Sequence, residues 1–135
     1  MTIFCDASAL IAIIAGEPEA ARLADALERD GDILCSALSV WETMAGLCHS
    51  HALSPPAARA HIARFLEAAE IRFVAIGERE YEIACDGYGK FGRGRHPAAL
   101  NMGDCHAYAC AKANRALLLF KGDDFTRTDI ASAMA

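Results

Sequence analysis

The chain has 135 residues, a length suited to one domain that buries its own core without disulfide or metal staples. With 54% hydrophobic and 23% charged residues it is not a disordered chain. A net charge of −5 argues against a protein that holds nucleic acid by bulk positive charge. The first apolar run, Ala9 to Ala15, has no basic stretch before it and is too short to span a bilayer, so the expectation is a cytoplasmic protein without membrane contact. The six cysteines (Cys5, Cys35, Cys48, Cys85, Cys105 and Cys110) form no C-x-x-C pair, which leaves out the usual zinc spacings and points to reduced, buried thiols.

In chain order, Thr2 to Cys5 reads as a short buried strand and Ser8 to Ala15 as helix. Glu17 to Arg29 carries Leu23, Ala24 and Leu27 at helical spacing. The turn Asp30-Gly31-Asp32 leads into a strand from Ile33 to Cys35, then a helix from Ser39 to about Ser50. Ser54-Pro55-Pro56 opens another helix with Ile62, Phe65, Leu66 and Ala69 on its apolar face. A third strand is predicted over Arg72 to Ile76 and a helix over Glu78 to Tyr88. A Gly-rich loop follows, then an Ala-rich helix from Gly103 to Asn114 and a strand from Leu117 to Phe120. Strands alternating with helices predict an α/β domain with a parallel sheet, and the unbroken run Leu117 to Phe120 suits a strand covered on both faces.

Ligands of open α/β sheets bind beyond the carboxyl ends of the strands, and acids fall there repeatedly. Asp6 follows the first strand, Glu42 lies early in the helix after the second, Asp104 starts the Ala-rich helix, and Asp123 and Asp124 follow the last strand. Each acid also has a purely structural reading. Asp6 suits a helix cap, Ser39 with Glu42 fits a capping box, Asp104 favours a helix N-terminus, and Gly122-Asp123-Asp124 fits a turn. Taken together, four carboxylates at one sheet edge would repel one another unless a hard divalent cation joined them. Magnesium takes such oxygen ligands, and its natural chemistry at a phosphodiester is hydrolysis.

Gly87-Tyr88-Gly89-Lys90-Phe91-Gly92 spells G-x-G-x-x-G, but it ends a helix instead of following a strand, so no nucleotide cofactor is expected. With Lys90, Arg93, Arg95 and His96 it reads as a flexible basic loop. Lys90, Arg93 and Arg95 are candidate RNA phosphate contacts, and Tyr88 or Phe91 candidate base-stacking rings. His49 and His51 suit a helix end, and His106, two residues past Asp104, suits either the lining of the site or an ordinary helical position. Trp41 suits the core or a dimer contact.

The segment Phe4-Cys5-Asp6-Ala7-Ser8-Ala9-Leu10 resembles the opening motif of PIN-domain toxins of the VapC type. Ser39 to Glu42 is similar to their second motif, Leu100 to Ala109 with Asp104 to the third, and Leu119 to Asp129 to the fourth. The match runs in order along nearly the whole chain. It implies a PIN-like fold, a twisted and mostly parallel sheet flanked by helices in a single domain over residues 1–135. It also implies RNA cleavage dependent on magnesium or manganese, with Asp6 and Asp104 as direct metal ligands and Glu42 and Asp123 acting through water or closing the site. Asp123 is preferred to its neighbour Asp124 as the fourth acid. The resemblance further implies a homodimer, held inactive by a VapB-type antitoxin in a type II toxin–antitoxin system. One rival is a PIN-like RNA-processing nuclease outside toxin systems. Another is a receiver-like phosphosignalling domain, which would share Lys121 but needs an acid pair after the first strand, where residue 7 is Ala. The last is a catalytically silent binding module.

Overall fold

The computed structural model describes residues 1–29 and 31–134, so Asp30 of the expected turn lies outside the described residues. The elements run β1 (Ile3–Cys5), α1 (Ala7–Ala15), α2 (Ala20–Leu27), β2 (Ile33–Cys35), α3 (Ala37–His51), α4 (Pro55–Ala68), β3 (Ile71–Phe73), α5 (Glu78–Phe91), α6 (Met102–Ala113) and β4 (Leu117–Leu119). A single 3-10 turn, Asp124–Arg127, follows β4. The four strands form one parallel sheet in the order β3-β2-β1-β4, with Phe4 opposite both Leu34 and Leu118.

The two-residue period of the strands sorts the core into layers. Phe4, Leu34 and Leu118 face α5 and α6, packing with Ala84, Cys105, Tyr108 and Ala111. Ile3, Cys5, Ile33, Cys35 and Leu119 face the other way, against Leu10, Leu23 and Ala26 of α1 and α2. The result is a sheet covered on both faces, which is why its strands read as unbroken apolar runs. A smaller cluster of Leu47, Ala58 and Ile62 joins α3 to α4. At the outer edge of β4, Leu118 N donates to Ala131 O (2.9 Å) and Ala133 N donates to Leu118 O (2.9 Å). The C-terminal segment thus adds one parallel bridge, Leu118 to Ser132, and covers that edge.

Several boundaries differ from the sequence expectation. The second helix starts only at Ala20, because Glu17 is drawn into ion pairs with Lys121 and His51. The helix expected from Ser39 starts at Ala37, capped by Ser36. Ser39 supplies the third position of the capping box, so Glu42 is not part of it. The third strand lies at Ile71–Phe73, shifted toward the N-terminus of the range expected. The expected Gly-rich loop is helix as far as Phe91, with Gly92 as its C-cap. Within this helix Gly87 lets α5 lie close to α6, since a Cβ there would lie 3.0 Å from the Tyr108 ring. Four cysteines are buried, Cys48 is partly buried and Cys85 is exposed, with all six thiols free. Among the described residues, no helix is long and apolar enough to cross a membrane.

Candidate active site

The strand order reverses direction between β1 and β4, so the chain leaves these neighbouring strands on opposite sides and opens a crevice at their carboxyl ends. Asp6 stands at the end of β1. It N-caps α1 and is buried, and its Oδ2 accepts hydrogen bonds from Ser8 N (3.1 Å) and Ser8 Oγ (2.6 Å). The same Ser8 hydroxyl accepts a bond from Lys121 N (3.0 Å), just beyond β4. One serine therefore ties the two strand ends together at the crevice.

Asp104 enters from α6. It occupies the third position of a capping box in which Asn101 Oδ1 accepts from Asp104 N (2.9 Å) and Asp104 Oδ2 accepts from Asn101 N (3.1 Å). Glu42 enters from the second turn of α3. Its carboxylate lies against Gly103, so a Cβ at position 103 would run into it. Asp124 heads the 3-10 turn after β4.

These acids sense one another. Burial pushes the Asp6 carboxyl above its ordinary range, the Ser8 bonds oppose this, and the charge of Asp124 adds to it. Burial, with the charges of Asp6 and Asp104, pushes Glu42 up to about 7. Asp104 is pushed up to about 6, again chiefly by burial, with Asp6 and Asp124 raising it and the Asn101 bond and Arg93 lowering it. Mutual repulsion among half-buried carboxylates is the signature of a site that lacks its counter-charge.

Asp6, Glu42 and Asp104 lie near enough for their charges to act on one another, and of the two adjacent acids after β4 one is coupled to them. Asp124 is the one whose charge reaches both Asp6 and Asp104. Asp123 lines a separate recess with Glu19, Arg22 and Thr126. Among the described residues, no three Asp, Glu, His or Cys side chains are gathered tightly enough to cage an ion outright. The donor set nonetheless fits magnesium, which binds through one or two carboxylates and keeps several waters. Hard oxygen donors around a polar crevice suit it better than any softer metal.

Of the basic residues, Arg93 lies near enough to Asp104 to lower its pKa. Lys90 is exposed in the last turn of α5, and the Arg95 guanidinium sits 5.5 Å from the Tyr88 ring centroid. Phe91 packs inward on His96 and Tyr108 and is no stacking ring. Trp41 is 60% exposed, so its core placement is corrected. His51 pairs with Glu17 (2.9 Å), and His106 Nδ1 bonds the Met102 carbonyl (2.8 Å) within its own helix. Lys121 pairs with Glu17 and Glu19. Sequence reasoning passed over Ser8 and Gly103. The spacing Asp-x-Ser signals the first, and a glycine in a helix's first turn beside an acid signals the second. A larger recess of about 550 Å³, lined by Arg29, Asp32 and Arg72, lies by the amino ends of β2 and β3, away from these acids.

Residues 3–131 match the PIN domain family. The chain is 39% identical over 127 residues to ribonuclease VapC30 of Mycobacterium tuberculosis, covering 94% of this chain and 95% of that protein. It is 38% identical over 129 residues to ribonuclease VapC42 of the same species, covering 95% and 96%. Among solved structures, VapC20 of M. tuberculosis, described as a sarcin-ricin loop cleaving toxin, aligns with a TM-score of 0.73 at 19% identity over 96% of each chain. A toxin–antitoxin complex from Klebsiella pneumoniae aligns with a TM-score of 0.67 at 19% identity, over 96% of this chain and 93% of that one. At that identity the two structures speak for the fold alone.

Proposed function

This chain belongs to the PIN-domain family and, within it, to the VapC ribonucleases, and from that premise we propose that it is a magnesium-dependent endoribonuclease acting as the toxin of a type II toxin–antitoxin pair. The observation that carries the reading is the convergence of Asp6, Glu42, Asp104 and Asp124, from four separate stretches of chain, on the crevice between β1 and β4. Asp6 and Asp104 would hold the cation, manganese serving in place of magnesium. The bound ion supplies charge to a phosphate oxygen and acidity to water.

The chain's own residues do the rest. Ser8 fixes the Asp6 carboxylate through Oδ2. Asn101 fixes Asp104 through its Oδ2. Glu42, seated on Gly103, accepts hydrogen bonds from water entering the crevice, and Asp124 adds its charge beside Asp6 and Asp104. Arg93 meets the RNA phosphate beside Asp104. The protein acts in the cytoplasm as a homodimer, and a VapB-type antitoxin restrains it.

The test is cleavage of RNA by purified protein with magnesium, with EDTA, and by Asp6→Asn. Cleavage by wild type in magnesium alone, lost in Asp6→Asn while the circular dichroism spectrum is kept, is the expected result. Full activity in Asp6→Asn overturns the assignment.

A further inference from the structure

The charge of Asp124 raises both Asp6 and Asp104, so these acids repel the turn that carries it. Asp124 itself is exposed at the head of the 3-10 turn Asp124–Arg127, and burial does not hold it there. An anchor lies further along the segment. Asp129 Oδ1 accepts a hydrogen bond from the Tyr108 hydroxyl (2.7 Å), and Asp129 Oδ2 lies 3.3 Å from Lys112 Nζ. Lys112 Nζ in turn sits 5.6 Å from the centroid of the Tyr108 ring. Tyr108 is buried, its ring edge-on to Phe91 with centroids 5.9 Å apart, so the core aims its hydroxyl. Tyr108 and Lys112 belong to α6, about one and two turns beyond Asp104. The chain from Asp129 back to Asp124 is braced by its own bonds. Thr126 N and Oγ1 donate to Asp123 O (3.1 and 2.6 Å), Thr128 N and Oγ1 donate to Phe125 O (3.1 and 2.7 Å), and Ile130 N donates to Thr128 Oγ1 (3.3 Å).

Helix α6 thus carries one acid of the site and also the side chains that grip the segment bearing another. Phe125, buried against Phe120 with ring centroids 5.2 Å apart, sets the depth of the turn. Dispersion contact between rings is weakly directional, whereas a hydrogen bond fixes orientation. We propose that Asp129, gripped by Tyr108 and Lys112, is a positioning residue that holds Asp124 beside Asp104 against their repulsion. The proposal rests on the reading of these acids as a ribonuclease site. The Tyr108 bond carries most of the effect, because the Lys112 pair is 35% and 53% exposed and therefore screened.

The experiment compares wild type with Tyr108→Phe, Asp129→Ala and Asp129→Asn, and places Tyr108→Phe also in an Asp124→Asn background. For each protein it reads the magnesium Kd from the rise of melting temperature with magnesium, and kcat and KM for a fluorescein-labelled single-stranded RNA of mixed sequence. Tyr108→Phe keeps the packed ring and loses only the hydroxyl. It and Asp129→Ala are expected to raise the magnesium Kd on the order of 10-fold and to lower kcat, with KM for RNA kept. Asp129→Asn, which retains an acceptor for the Tyr108 hydroxyl, recovers most of both. In Asp124→Asn, the added Tyr108→Phe changes neither any further. A Tyr108→Phe protein that only melts lower, with magnesium Kd and kcat unchanged, makes the contact a fold anchor and overturns the proposal, while the ribonuclease reading stands. An equal effect of Tyr108→Phe with and without the Asp124 charge also overturns it. If wild type takes up magnesium without cutting RNA, and Tyr108→Phe weakens that uptake only where Asp124 is present, the positioning role stands and the ribonuclease reading fails. Wild type that neither responds to magnesium nor cuts RNA overturns both.

Discussion

Ser8 is where distant parts of the chain meet at the site. Its hydroxyl donates to Asp6 and accepts from the backbone of Lys121, 113 residues further on. Ser8→Ala removes both bonds, an expected loss of about 1–2 kcal/mol of stability by urea unfolding. It also frees the Asp6 carboxylate to rotate. Cleavage is therefore expected to need on the order of 10-fold more magnesium, in line with the cost of removing a residue that orients a metal ligand. A magnesium titration checks this, and an unchanged midpoint would reduce Ser8 to a helix cap. Gly103 makes a complementary prediction. Alanine suits a helix better than glycine by roughly 1 kcal/mol, but its methyl group would displace the Glu42 carboxylate. Gly103→Ala is expected to melt no lower than wild type and to cut RNA poorly, a pairing that unfolding cannot mimic. Equal activity with wild type would mean that Glu42 has no part in the chemistry.

The helices show why the acids are positioned as they are. Asp104 points into the crevice because α6 begins with a reciprocal cap, and Asn101→Ala removes one half of it. That change is expected to cost about 1 kcal/mol of stability, read from urea unfolding. It also loosens the turn that holds Asp104, so cleavage falls with it, whereas full cleavage would show that the cap and the site are independent. Asp104 at a helix start was legible in the sequence, as were Asp6 after β1 and the alternation of strands and helices. Each of these rests on local chemistry: a short polar side chain at a helix start, or an apolar run of strand length. Where tertiary contacts decided, the sequence read differently. Ser39 with Glu42 matched a capping box, but the chain turns into α3 directly after β2, so Ser36 takes the cap and Glu42 is released to the crevice. The run from Gly89 to Phe91 reads as loop in the sequence because glycine weakens helices, yet the helix continues through it to Phe91, whose ring packs against Tyr108. Asp123 and Asp124 are neighbours in one short turn, and nothing in the composition of that turn encodes which of them lies nearer to Asp6 and Asp104.

For the molecule as a whole, the crevice sets stability against charge. Asp6, Glu42 and Asp104 all bind their protons more tightly folded than unfolded. Between the ordinary carboxylate range, about 4, and the raised values near 6 and 7, the folded protein carries more protons than the unfolded chain. The stability contributed by these groups therefore falls as pH rises through that window, and the loss is complete above it. Glu17, Glu80 and Asp129 are held low and run the opposite way, but their contribution is lost only as pH drops below the ordinary carboxylate range. Removing one site charge should then help the metal-free protein most at neutral pH. In EDTA, Glu42→Gln is expected to melt above wild type at pH 8 and to lose that advantage at pH 5, as scanning calorimetry at the two pH values reads. Magnesium supplies the missing counter-charge, so it should raise the melting temperature of wild type more at pH 8 than at pH 5, and raise that of Asp104→Asn little at either. A Glu42→Gln advantage independent of pH would place its origin in packing, and an equal magnesium shift in Asp104→Asn would place the ion elsewhere on the molecule. The metal-free protein is thus most strained at the pH where the bound form works, because the same repulsion that weakens the fold is what draws the cation in.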